Sequence, residues 1–83
     1  MSTEDLLNLL ATGIGDVTGR AAPAVYPDTD IATLGLDSVQ TLELVAWAEE
    51  RLAVRVPDEE LTTVRSAGEL CAALAVSLGE RAA

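Results

Sequence analysis

The chain of 83 residues contains no histidine, no lysine and no phenylalanine. Without histidine it cannot build the Ser-His-acid or Cys-His arrangements used in nucleophilic catalysis. Without lysine it has neither a Schiff-base amine nor the Gly-x4-Gly-Lys loop that cradles phosphates. Catalysis by this chain alone is therefore not expected, although one of its serines can still be the substrate of another enzyme.

Cysteine and long hydrophobic runs are also scarce. The single cysteine, Cys71, cannot form a disulfide within the chain. The sequence contains no secretory signal and no apolar run long enough to span a bilayer. We therefore expect a cytoplasmic protein that does not bind membranes. The spacing of Cys71 with Leu70 and Leu74 is typical of a helical core position rather than of a reactive thiol.

Basic residues are few, with five arginines against fourteen acids and a net charge of −9. The chain lacks the basic stripe that neutralises phosphates, so nucleic acid is not an expected partner. Partners with arginine or lysine patches fit this charge, but acids that only solvate the surface explain the composition equally well.

No metal site is expected. Two groups of acids, Asp28 with Asp30 and the run 58–60, lack the ligand number and the glycine-containing loop of a Ca²⁺ or Mg²⁺ site.

Aromatic residues are limited to Tyr26 and Trp47, whereas hydrophobic residues make up 49% of the chain. The core must therefore be aliphatic, which is usual in helical bundles. A chain of this length buries only about 60–65% of its unfolded surface, so it has room for one small core. We expect a single domain over residues 1–83, without repeats or linkers, and a monomer.

The first helix is predicted over about residues 3–17, because apolar residues recur at helical spacing between Leu6 and Val17. Ser2 and Asp5 have the spacing of a capping box.

The following loop, residues 18–36, begins near a candidate helix stop at Gly19 and contains Pro23 and Pro27. A loop this long in a small domain is usually functional or is held by its own apolar side chains. We expect five residues to hold it: Val25, Tyr26, Ile31, Leu34 and Leu36.

The second helix is predicted over about residues 38–52 and has more apolar positions than one buried face needs. One stripe is expected to face the core: Thr41, Leu44, Val45, Ala48 and Leu52. The other side mixes apolar and acidic side chains, as a surface that contacts a partner does: Val39, Leu42, Glu43, Ala46 and Glu50. Trp47 lies near the border of the two sets, and the pattern does not assign it.

Two further helical patterns complete the chain. The run 58–61 provides one or two turns of a third helix, with acids where a helix N-terminus favours them. Ser66 and Glu69 predict a second capping box, ahead of a fourth helix over about 67–80 for which Gly79 is a candidate stop. The fold class is therefore all-α: a four-helix bundle of three longer helices and one short helix, with a long first loop.

Residues 34–39 place the hydroxyl group of Ser38 at the start of the second helix. Gly35 turns the chain at little cost, and Asp37 is a good N-cap. Ser38 follows at a helix N-terminus, where unpaired amides and the helix dipole favour an anion. Taken alone, Asp37 and Ser38 are more often a simple helix cap, and both roles can hold together.

Residues 34–45 read Leu-Gly-Leu-Asp-Ser-Val-Gln-Thr-Leu-Glu-Leu-Val, and 49–52 and 56–61 add Glu-Glu-Arg-Leu and Val-Pro-Asp-Glu-Glu-Leu. Together these segments resemble the acyl carrier proteins, over residues 29–75. The resemblance implies a non-catalytic carrier with that family's fold. It also implies that Ser38 is covalently modified with 4′-phosphopantetheine from coenzyme A, whose thiol holds acyl groups as thioesters.

The resemblance further implies partner enzymes: a phosphopantetheinyl transferase, and acyl-loading, ketosynthase-type or tailoring enzymes with basic docking patches. The apolar contacts for them would be Val39, Leu42 and Ala46, and the charges would be Asp37, Glu43, Glu49 and Glu50. A merely solvated helix face is the alternative for these acids.

Several residues differ from those usual in housekeeping fatty-acid carriers: Val39, Gln40, Trp47 and Leu52. With the Ala- and Arg-rich composition, they indicate a freestanding carrier of polyketide or hybrid natural-product biosynthesis. A peptidyl (aminoacyl) carrier and a housekeeping fatty-acid carrier remain alternatives. An alternative of another class is an acidic helical interaction module that is never modified.

Overall fold

The computed structural model describes residues 2–82, with side chains described for residues 2–79. Its elements, in chain order, are α1 (Thr3–Thr18), a 3₁₀ turn (Ile31–Leu34), α2 (Ser38–Leu52), α3 (Asp58–Leu61) and α4 (Ala67–Ala82). Three long helices and one short helix confirm the predicted all-α class. In the described part of the chain, no helix is long and apolar enough to cross a bilayer.

α1 begins and ends at the signals that the sequence contains. The Ser2 hydroxyl accepts a hydrogen bond from the Asp5 N–H, and the Asp5 carboxylate accepts one from the Ser2 N–H, both at 3.1 Å. At the other end Gly19 adopts a left-handed conformation, with φ 71°, and its N–H donates to the Gly15 carbonyl. The helix is one residue longer than predicted.

The core lies between α1, α2 and α4, with one residue from the link before α3. Its buried aliphatic side chains come mostly from leucine, as the composition predicts: Leu6, Leu7, Leu10, Ile14, Leu44, Val45, Ala48, Val56, Ala67, Leu70 and Leu74. Three of the five predicted core positions of α2 are fully buried, and Thr41 and Leu52 are half-buried.

The first loop is fastened to the start of α4 by backbone hydrogen bonds. The Ile31 N–H donates to the Arg65 carbonyl at 3.0 Å, and the Gly68 N–H donates to the Pro27 carbonyl at 2.9 Å. A Cβ on Gly68 would lie 2.7 Å from that same Pro27 oxygen, so only glycine fits there. These hydrogen bonds join residues 27–31 to the beginning of α4.

Four of the five apolar residues expected to hold this loop do pack on the core, namely Val25, Ile31, Leu34 and Leu36. The prediction for Tyr26 was wrong, because its side chain is 62% exposed. Tyr26 contributes through its backbone instead: its N–H donates to the Thr29 hydroxyl, and its carbonyl accepts from the Thr29 N–H. A turn, and not the core, fixes this residue.

α4 begins with the predicted capping box, in which the Ser66 hydroxyl accepts from the Glu69 N–H at 3.1 Å and Glu69 Oε1 accepts from the Ser66 N–H at 3.0 Å. Gly79 does not end the helix, which continues to Ala82. Gly79 is exposed and does not adopt the left-handed conformation of a C-cap. A helix tolerates such a glycine at a cost of about 1 kcal/mol.

Cys71 lies in the core, as predicted, with 1% of its surface exposed. Burial raises the pKa of its thiol to about 11, because an apolar environment disfavours the thiolate. The thiol therefore stays protonated at neutral pH and acts as a small apolar side chain.

Candidate functional site

Ser38 is the first residue of α2, and the preceding residues fix its position. The 3₁₀ turn ends at Gly35, whose left-handed φ of 74° redirects the chain, and half-buried Leu36 packs against the core. Asp37 then caps α2: its carboxylate accepts from the Gln40 N–H at 2.7 Å, and the Gln40 side-chain oxygen accepts from the Asp37 N–H at 3.2 Å. The cap leaves Ser38 outside the capping hydrogen bonds and exposed to solvent.

The four serines of the chain differ in what their hydroxyls do. Ser2 and Ser66 cap α1 and α4. Ser77 is buried and donates to the Arg55 carbonyl at 3.2 Å. Ser38 is therefore the one serine that is both exposed and without a structural hydrogen bond in the described part of the chain.

The surroundings of Ser38 fit a phosphodiester. The amides of the first helical turn have no partner within the helix, and the helix dipole places a partial positive charge there. No acidic residue occupies the first turn of α2. The Asp37 carboxylate is a like charge next to the site, but it is held by the Gln40 N–H. An added phosphate would thus lie at the positive end of the helix dipole, next to one carboxylate that is already hydrogen-bonded.

A cleft of about 540 Å³ opens next to Ser38, between α2, the 3₁₀ turn and the α3–α4 connection. Most of its lining is aliphatic: Ile31, Ala32, Leu36, Leu42, Val45, Leu61, Val64 and Leu70. Sequence reasoning missed this cleft, because its walls come from segments far apart in the chain that a period along one helix cannot bring together. It provides an apolar surface beside an exposed hydroxyl.

The expected contact face of α2 is open to solvent. Val39 and Leu42 are each 63% exposed, and Glu43, Ala46 and Glu50 are exposed as well. Exposed apolar residues next to acids, on the helix that carries Ser38, are what a transient docking surface needs. Whether partners use these residues stays a prediction.

Glu49 is placed differently from the other acids of α2. It is half-buried, and its Oε2 accepts a hydrogen bond from the Val56 N–H at 2.7 Å. α2 ends just beyond it, where Ala53 adopts a left-handed φ of 54° and donates its N–H to the Glu49 carbonyl. Glu49 thus fixes the link to α3, and a role in docking would be secondary to that one.

Trp47, which the pattern left unassigned, joins α2 to α1. Its indole N–H donates to the Asp16 carboxylate at 3.1 Å. The Arg51 guanidinium lies 4.5 Å from the ring centroid and 3.7 Å from the same carboxylate. A Cβ on Gly13 would lie 2.6 Å from the indole, so the ring rests directly on the α1 backbone. Trp47 therefore has a structural role in packing α2 against α1. A single tryptophan in a sequence does not indicate such a contact.

Among the described side chains, no group of three or more histidine, cysteine, aspartate or glutamate residues is arranged to hold a metal ion.

Comparison with known proteins bears on this site. Residues 8–74 match the family model described as a phosphopantetheine attachment site. The chain is 40% identical over 81 residues to an acyl carrier protein of Streptomyces coelicolor, covering 92% of this chain and 85% of that one. It is 36% identical over 69 residues to one of Arthrobacter sp. strain FB24, covering 82% and 85%. This chain belongs to the acyl carrier protein family.

The fold agrees with that family. The solution structure of the acetyl actinorhodin acyl carrier protein from Streptomyces coelicolor superposes with a TM-score of 0.70 at 27% identity, covering 98% of this chain and 94% of that one. The four-helix carrier fold implied by the resemblance is therefore confirmed. Members of the family are carriers rather than catalysts, and membership implies a covalently attached 4′-phosphopantetheine.

Proposed function

We propose that this acyl carrier protein is modified at Ser38. The proposal rests on how the four serine hydroxyls are used in the structure. Two cap helices and one is buried, whereas that of Ser38 is exposed and has no structural hydrogen bond. Ser38 also lies within the span that matches the attachment-site model, which ends before Ser77 and begins after Ser2. Ser66 lies within that span too, but its hydroxyl caps α4.

The modification is a phosphoryl transfer catalysed by a phosphopantetheinyl transferase. The Ser38 Oγ attacks the phosphorus of coenzyme A that bears the pantetheine, and a new P–O bond forms. The bond to adenosine 3′,5′-bisphosphate breaks, that nucleotide leaves, and the serine proton passes to a base on the transferase, where Mg²⁺ assists. The attached group supplies a terminal thiol that carries acyl groups as thioesters.

The residues around Ser38 have distinct parts in this function. The Asp37–Gln40 cap holds the hydroxyl at a fixed point on the surface. The aliphatic cleft can bury apolar parts of the arm and its cargo. Val39, Leu42 and Ala46 supply apolar contacts to partner enzymes, while Glu43 and Glu50 supply charges to their basic patches.

For the pathway, we propose polyketide or hybrid natural-product biosynthesis in the cytoplasm, by a single carrier domain. The structural likeness to an actinorhodin carrier supports this choice. The partners would be acyl-loading, ketosynthase-type and tailoring enzymes.

The test is incubation of the purified protein with coenzyme A, Mg²⁺ and a broad-specificity phosphopantetheinyl transferase, followed by intact mass measurement. We expect complete addition of one phosphopantetheinyl group to the wild type. Ser38→Ala should add none, and the matched control Ser66→Ala should add one, because it removes only a helix cap. No addition to the wild type would favour the unmodified interaction module. Addition to Ser38→Ala would show that a residue other than Ser38 is modified.

A further inference from the structure

One basic residue, Arg65, is among the described residues that line the cleft bordered by Ser38. Asp30 and Asp37 line it as well, but each carboxylate is already used in a local turn. Asp30 accepts from the Ala32 N–H at 2.9 Å, and Asp37 accepts from the Gln40 N–H. Arg65 and Ser38 thus line the same cleft, in a molecule whose net charge is −9.

The backbone of Arg65 is fixed on both sides. Its carbonyl accepts from the Ile31 N–H at 3.0 Å, and its N–H donates to Glu69 Oε1 at 3.1 Å. Its side chain is exposed, and among the described side chains it has no carboxylate within ion-pair distance. The backbone of Arg65 is thus bonded to the first loop and to α4, and its side chain forms no ion pair with the described carboxylates.

The other described arginines are placed elsewhere. Arg51 is engaged by the Trp47 ring and the Asp16 carboxylate. The Arg55 carbonyl accepts a hydrogen bond from the Ser77 hydroxyl. Ser77 lies ten residues beyond the first residue of α4, or about 15 Å along that helix, so the Arg55 backbone is far from the start of α4. Arg20 lies over Gly35, outside the cleft lining.

We propose that Arg65 binds the phosphodiester that joins Ser38 to 4′-phosphopantetheine and so positions the arm at the mouth of the cleft. The inference rests on the proposed modification of Ser38. A guanidinium offers a planar pair of N–H donors that matches two phosphate oxygens, and it offsets the like charge of Asp37. The phosphate, rather than a cargo carboxylate, is the ligand, since it is present in every loaded state.

The first test uses the wild-type protein without cargo. The Nε–H resonances of the arginines are compared by ¹H–¹⁵N NMR before and after transfer of the arm. We expect the Arg65 resonance to shift on attachment, by more than that of Arg20, and the Arg55 resonance to stay in place. The shift should shrink at about 0.5 M NaCl, since an exposed ionic contact is screened. An Arg65 resonance identical in the two forms would overturn the proposal.

The second test follows the ³¹P resonance of the modified protein in three charge-matched variants. Arg65→Gln should move it, whereas Arg55→Gln and Arg20→Gln should leave it at the wild-type position. An effect of Arg20→Gln alone, or none in any variant, contradicts the assignment. The ¹H–¹⁵N spectrum of each unmodified variant checks that the fold is retained.

Intact mass measured before both tests separates this inference from the proposed function. Addition of the arm to Ser38 without any response of Arg65 overturns only the inference. Failure of the arm to add to the wild type overturns both.

Discussion

At the scale of single residues, two glycines in helices have opposite surroundings. Gly13 lies under Trp47, and a Cβ there would meet the indole at 2.6 Å and Leu44 Cδ1 at 2.8 Å. Gly79 faces open space, with nothing within 4 Å of the position that a Cβ would take. In the sequence the two glycines look alike, since each weakens a helical pattern by the same amount, but only Gly13 is required by packing.

We predict that Gly13→Ala lowers the free energy of unfolding by roughly 1–2 kcal/mol, because the clash with the ring exceeds the gain of about 1 kcal/mol in helix propensity. Gly79→Ala, the matched control, should raise it by about 0.5–1 kcal/mol. Urea unfolding followed by circular dichroism measures both. Equal stabilisation by the two substitutions would show that Trp47 does not rest on α1.

At the scale of elements, α2 shows how far sequence reasoning reaches. Its predicted span, its three buried residues and its exposed acids Glu43 and Glu50 are found in the structure, because cap chemistry and a 3.6-residue period act within one helix. Glu49 is half-buried instead, because it bonds the Val56 N–H beyond the helix end. The cleft beside Ser38 and the presence of Arg65 in its lining were not predictable. They depend on how α3 and the first loop meet α2 in space, which no local pattern records.

The exposed face of α2 gives a prediction about docking. Val39→Gln should lower kcat/KM for transfer of phosphopantetheine roughly tenfold, which corresponds to about 1.4 kcal/mol of lost contact with the transferase. Val76→Gln is the matched control, since Val76 is 52% exposed on α4, and it should leave the rate unchanged. Steady-state assays with each purified variant measure the effect. Similar losses in both variants would rule out α2 as the docking element.

At the scale of the whole molecule, the net charge of −9 acts on association rather than on the fold. Surface acids surround a small aliphatic core, and one ion pair, Arg51–Asp16, occurs among the described side chains. Most of the negative charge is therefore free to attract a basic partner.

We predict that kcat/KM for transfer falls roughly tenfold between about 0.02 M and 0.5 M NaCl, because salt screens this attraction. Glu43→Gln with Glu50→Gln should flatten the salt dependence. Glu4→Gln with Asp28→Asn removes the same charge outside α2 and should flatten it less. If the two double variants respond alike, net charge steers the encounter and the acids of α2 have no special part.

Peptide mapping of the modified protein shows directly whether Ser38 carries the arm. Because the chain has no lysine, trypsin cleaves after arginine only, and the peptide 21–51 contains Ser38 and no other serine. We expect all of the added mass on this peptide, and we expect fragmentation to assign it to Ser38. Added mass on the peptide 66–81, which contains Ser66 and Ser77, or on a threonine of 21–51, would contradict it.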